Sequence, residues 1–136
     1  MAGETNLEIL IATLEPHLHE GAFVFCTIPG GAYGDHAHLA PIAAVVEPEG
    51  LTLVLERGRA EEAGLAYQGV FGLITLGVHS SLEAVGLTAA VASRLAGLGI
   101  SANVVAGYHH DHILVPLHRA EEAAAALRAM TKEGGR

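Results

Sequence analysis

Positive charge is scarce in this chain. Seven Lys and Arg face fifteen Asp and Glu, for a formal net charge of −8. Nucleic acid demands a basic footprint and anionic membranes attract polybasic segments, so neither is expected as a partner. There is one cysteine, Cys26, so no internal disulfide forms, and a reducing cytoplasmic location is expected. Cys26 lies between Phe25 and Thr27 in an apolar run and reads as a small buried hydrophobe rather than a nucleophile. Tryptophan is absent and aromatics make up 4%. A core without large rings gains density from close backbone approach, for which the 17 glycines and many alanines are suited. No apolar run reaches the roughly 18–20 residues of a membrane span. Met1 to Glu8 carries two acids and no base, unlike a secretory or transit peptide.

Apolar residues, in contrast, are plentiful. They supply 51% of 136 residues, enough for one domain or two very small ones. Histidine is also over-supplied, with nine copies that could cancel the whole net charge if protonated.

The periodicities predict an alternation of strands and helices. Leu7, Leu10, Ile11 and Leu14 mark a helix over residues 5–15, with Thr5 or Asn6 as cap and Pro16 at its end. Ala22 to Ile28 reads as a buried strand, and Pro29 to Asp35 as a loop. Ile42–Val46 and Leu51–Leu55 form a hairpin around Glu47-Pro-Glu-Gly50. A short helix follows from Arg59 to Ala63. Val70–Val78 is apolar on both faces and suits a central strand. Ser80-Ser-Leu-Glu83 has the form of a capping box, which predicts a helix from there through Ala96. Strands at Ser101–Ala106 and Asp111–Leu117 and a helix at Arg119–Met130 complete the chain.

An internal repeat runs through this pattern. Leu51 to Ala63 aligns with Asp111 to Ala123 at an offset of 60, each an apolar strand running into Arg-Ala-Glu-Glu-Ala. Two related modules are expected, residues 1–66 and 67–136. Each is too small to be comfortable alone, so the two should share a core.

Three features carry candidate chemistry. A strand feeding a capped helix leaves amides near Ser81, Leu82 and Glu83 that suit a carboxylate, although a helix start needs no ligand to explain it. Asn103 is the one amide in an apolar strand. It suits a ligand's polar group or a neighbouring backbone. Histidine occurs as His-x-His at His17/His19, His36/His38 and His110/His112. Residues i and i+2 of a strand share a face, so His110 and His112 could converge on a metal, with His109 nearby. The alternative is that they line a strand end or interface and bond backbone. No catalytic constellation is present: His79, Ser80 and Ser81 form no triad, and Pro29 to Gly34 lacks the Lys-Ser/Thr ending of a phosphate loop.

The order strand, helix, strand, strand, helix over residues 70–130 is most of a βαββαβ ferredoxin-like module. Ile74-Thr-Leu-Gly-Val-His-Ser-Ser-Leu-Glu-Ala-Val-Gly-Leu-Thr-Ala-Ala-Val91 and Leu98-Gly-Ile-Ser-Ala-Asn-Val-Val-Ala-Gly-Tyr-His-His-Asp-His-Ile-Leu-Val-Pro116 resemble the small bacterial tandem ACT-domain proteins. Glu20 to Thr27 and Glu49 to Glu56 extend the resemblance over nearly the whole chain. The resemblance implies an α+β fold of two ferredoxin-like modules with antiparallel sheets and helices on one face. It also implies a regulatory, non-enzymatic module that binds an amino acid or similar small ligand at an interface. Where common ACT modules carry an Asp-x-x-Gly-like loop, this chain reads His79-Ser-Ser-Leu-Glu-Ala-Val-Gly86. The ligand-binding residues expected on this basis are His79, Ser80, Ser81, Leu82, Gly86 and Asn103, with no cofactor. The alternatives are a metal site at His109, His110 and His112, or a ligand-free assembly or adaptor module. Strands apolar on both faces predict a homo-oligomer, most simply a dimer.

Overall fold

The computed structural model describes residues 3, 6–78 and 85–134. These group into two units, Gly21–Phe71 and a second formed by Met1–Glu20 with Gly72–Arg136. The sequence seam expected between 66 and 67 thus falls near the end of the first unit, while the first twenty residues group with the C-terminal part.

In the larger unit, apolar spacing sets each helix. Helix α1 (Leu7–Ala12) is capped by Asn6, whose Oδ1 accepts the Ile9 N–H at 3.2 Å. Helix α3 (Leu87–Gly97) buries Leu87, Val91 and Leu95 at a spacing of four. Helix α4 (Ala120–Gly134) buries Ala120, Ala123, Ala124, Leu127 and Met130 along one stripe. Four strands lie in the order β1 (Pro16–Leu18), β5 (Phe71–Leu76), β7 (Asp111–Pro116) and β6 (Asn103–Ala106). β1 runs antiparallel to β5, and β6 antiparallel to β7. This is the strand order of a ferredoxin-like sheet, with the last strand drawn from the chain's beginning. Ile74, Leu76, Ile113 and Val115 point to the helices and pack with Leu10, Leu95 and Leu127. Burying each large aliphatic side chain contributes about 1.5–3 kcal/mol. Gly72 allows the closest approach: a Cβ there would lie 2.6 Å from the Ala120 Cβ.

The smaller unit orders β3 (Ala43–Glu47), β4 (Gly50–Glu56) and β2 (Phe23–Pro29). Both neighbouring pairs are antiparallel, and Phe23 pairs with Phe71. Val24, Cys26, Leu51, Leu53 and Leu55 form its core with Ala60 of α2 (Arg57–Glu62). Gly50 is required by the pairing of β4 with β2, since a Cβ there would lie 2.2 Å from the Ile28 carbonyl oxygen.

The repeat falls on equivalent positions. Its apolar halves are β4 and β7, and its Arg-Ala-Glu-Glu-Ala halves run through the latter part of α2 and into the start of α4. Both arginines tie down an upstream carbonyl: Arg59 Nη1 donates to Leu39 at 3.1 Å and Arg119 Nη2 to Leu98 at 2.9 Å. Two expectations need correction. The helix predicted from Ser80 through Ala96 is not continuous, because residues 85 and 86 are not helical and α3 begins at Leu87. Strand β1 was not predicted, because a three-residue strand that begins with a proline carries no detectable alternation.

Candidate functional site

Of the residues expected to hold a ligand, His79, Ser80, Ser81 and Leu82 lie outside the described residues, as does the capping box at Ser80–Glu83. The junction around them is described. β5 leads into Gly77, whose N–H donates to the Glu15 carbonyl at 2.8 Å. On the other side, Gly86 is the N-cap of α3 with φ 100° and offers no side chain to the first amides of that helix. A Cβ at Gly86 would meet Leu7 Cδ2 at 3.1 Å, so glycine is favoured twice, by left-handed backbone and by close packing on α1. The preceding Val85 is 83% exposed, which puts an apolar side chain in solvent beside this helix start.

Asn103 opens β6 opposite Leu114 of β7. Val104 packs into the core with its partner Ile113, so Asn103, Val105 and His112 share the sheet face turned away from the helices. Asn103 is exposed there rather than buried in a strand interior.

That same face carries a histidine chain that was only half legible in the sequence. His17 stands opposite Thr75 in the β1–β5 register. His19 Nε2 lies 2.8 Å from Thr75 Oγ1, and Thr75 Oγ1 lies 2.9 Å from His112 Nδ1. The His17 and His19 rings meet edge to face at 4.7 Å. A hydroxyl holds one proton, so with both imidazoles neutral Thr75 donates to one ring and accepts from the other. Burial, then the neighbouring His17 and His112, push His19 below the usual histidine pKa. Burial, then His110, push His112 down, against an opposing pull from Asp111. Burial raises the Asp111 carboxyl, with His112 and His110 acting against it. The His17-x-His19 spacing was a visible signal, but its meaning depended on the unpredicted strand and on Thr75.

The triple His109, His110 and His112 does not converge. His112 is bound to Thr75; His110 Nδ1 lies 3.2 Å from the Val78 carbonyl, which only accepts, so that nitrogen carries the proton; and exposed His109 has its ring beside Tyr108 at 5.0 Å. Among the described residues no group of three or more His, Cys, Asp or Glu could hold a metal ion. Cys26 is buried in the smaller unit and its thiol pKa is raised by burial, the opposite of an activated nucleophile. No helix among the described residues is long and apolar enough to cross a membrane.

Comparison with known proteins gives two adjoining matches to the ACT domain, over residues 2–72 and 70–129. A solved protein of unknown function from Vibrio cholerae, described as a possible transport protein, is 54% identical. The match covers 92% of this chain and 95% of that one, with a TM-score of 0.83. A protein from Agobacterium tumefaciens is 17% identical over 87% of this chain and 89% of its own, with a TM-score of 0.72. The regulatory subunit of aspartate kinase from Thermus thermophilus is 12% identical over 87% and 98%, with a TM-score of 0.60. The last two likenesses are of fold. No curated protein matches.

Proposed function

The chain belongs to the ACT-domain family, with two domains in tandem, and from that premise we propose that it is a non-catalytic regulatory protein that binds a small ligand, an amino acid. The similarity in fold to a regulatory subunit of aspartate kinase supports the regulatory reading. The observation that carries the site is the start of α3, an eleven-residue helix whose N-cap, Gly86, has no side chain to offer the first amides. Such amides and the helix dipole favour a carboxylate. In this reading the ligand's carboxylate meets that helix start, His79, Ser80, Ser81 and Leu82 belong to the same site and Gly86 gives access, while Asn103, on the sheet face turned away from the helices, is not part of it. Binding then biases how the modules or subunits pack. The protein works as a cytoplasmic homodimer. Support for self-association comes from β3, which lies at the end of its strand order and exposes Val45 and Val46.

A thermal-shift screen of the common amino acids tests this proposal. A ligand at a hundred times its Kd stabilises by about 2.7 kcal/mol, which raises the melting temperature by several degrees. One amino acid should do this, and Ser81→Ala should abolish the rise. No response to any amino acid would overturn the proposal.

A further inference from the structure

The two units differ in one respect that the repeat makes visible. In the larger unit, residues 77–102 join β5 to β6, and α3 supplies Leu87, Val91 and Leu95 to the core. In the smaller unit, residues 30–42 join β2 to β3 with only a single 3-10 turn, Ala37–Leu39. The turn takes the helix's place in one exact sense: Arg59 holds its Leu39 carbonyl as Arg119 holds the Leu98 carbonyl at the C-cap of α3.

The shorter connection leaves a cleft of about 500 Å³ over the sheet. This lies within the range of small-molecule sites, roughly 300–1,000 Å³. Its floor includes Leu53 of the core, and Ala40, Pro41, Ile42 and Ala44 form an aliphatic wall. The wall is held in shape at a cost. His36 and Ala40, which bracket the turn, have φ of 59° and 51°, left-handed values that non-glycine residues rarely adopt. Asp35 Oδ2 accepts the Ala32 N–H at 2.9 Å and so fixes the carboxylate at the rim. Among the described residues Asp35 is the only charged side chain lining the cleft, and the Tyr33 ring, 81% exposed, stands next to it.

We propose that this cleft is a binding site for a small aliphatic ammonium ion. The carboxylate of Asp35 and the face of Tyr33 attract the cationic head, and the alanine, proline, isoleucine and leucine surface takes an aliphatic body. A carboxylate ligand finds no lining cation to receive it, because the nearby Arg59 guanidinium is engaged by the Leu39 carbonyl and lies 3.6 Å from Glu56. The site is separate from the start of α3, and the absence of an amino-acid ligand there leaves this proposal standing.

The test is a titration of the full chain with isoamylammonium, followed by amide NMR shifts, with isovalerate as the anion of matching shape. Saturable shifts should centre on residues 33–44, and isovalerate should produce none. Asp35→Asn keeps an oxygen for the Ala32 N–H and removes the charge, so it should weaken binding at least about tenfold. Ala44→Leu fills the cleft from an exposed position on β3 and should abolish binding. No saturable shift up to about 10 mM amine, shifts centred elsewhere, equal binding of isovalerate, or binding unchanged by either variant would overturn the proposal.

Discussion

Gly72→Ala is the most direct test of how the larger unit is packed. The added Cβ would lie 2.6 Å from the Ala120 Cβ, with Leu18 Cδ1 at 3.6 Å and Leu117 Cδ1 at 3.8 Å. Carbon atoms rest at about 3.5–4.0 Å, so the Ala120 contact is short by about 1 Å while the other two are ordinary. Neither methyl can rotate away, because each is attached directly to backbone. Strand β5 and the first turn of α4 must separate, and overpacking of this kind costs about 1–3 kcal/mol. The loss of unfolded-state freedom on replacing glycine returns about 0.4–1 kcal/mol, leaving a net destabilisation of about 1–2 kcal/mol. Ala120→Gly alone should cost about 1 kcal/mol through helix propensity and a lost buried methyl. The double variant should be more stable than the two single losses predict, by about 1 kcal/mol or more. Urea unfolding followed by circular dichroism at 222 nm reads this unit, which holds three of the four α-helices among the described residues. A Gly72→Ala protein as stable as the parent, or strictly additive losses, would refute the packing argument.

Two further outcomes follow from the histidine face. Thr75→Val keeps the branched shape and strand propensity of the residue but removes the hydroxyl between His19 and His112; a loss of about 1–2 kcal/mol is expected, with both imidazole resonances moved in two-dimensional NMR, and unchanged imidazole spectra would contradict the bridge. The depressed pKa values of His19 and His112 mean that the unfolded chain binds more protons than the folded one as pH falls through 6.5, so stability declines below that point and is unaffected by these groups above about pH 7.5. Asp111, whose pKa is raised, works in the opposite direction at lower pH, where protonation relieves its burial. A urea midpoint that stays flat between about pH 7 and 5, or the same slope after His112→Asn, would refute this assignment.

Much of the architecture was legible because it is written in local periodicity. The spacing of Leu87, Val91 and Leu95 and the alanine stripe of α4 announce helices wherever the chain goes, and unbroken apolar runs announce buried strands. The repeat at an offset of 60 was legible for the same reason and proved to mark equivalent strand-to-helix junctions. The start of α3 was misread because a capping box scores locally, whereas Gly86 is set by left-handed backbone and by contact with Leu7, far away in sequence. Asn103 was found as an oddity of composition, but the face it occupies depended on the β6–β7 register.

Composition and pattern alone determined a low-aromatic α+β chain, built as a duplicated strand-helix theme, with a single cysteine and a formal net charge of −8. Only the tertiary structure decided where its histidines meet. β1 has three residues and no periodicity of its own, and its register is set by Leu18 burying itself beside Ile74, a pairing that carries His17 and His19 to Thr75 and His112 on the other face. Only the tertiary structure, too, shows a cleft where one unit has a helix and the other does not. Both results depend on contacts between residues distant in sequence, whose free energy appears only once the intervening chain has been ordered.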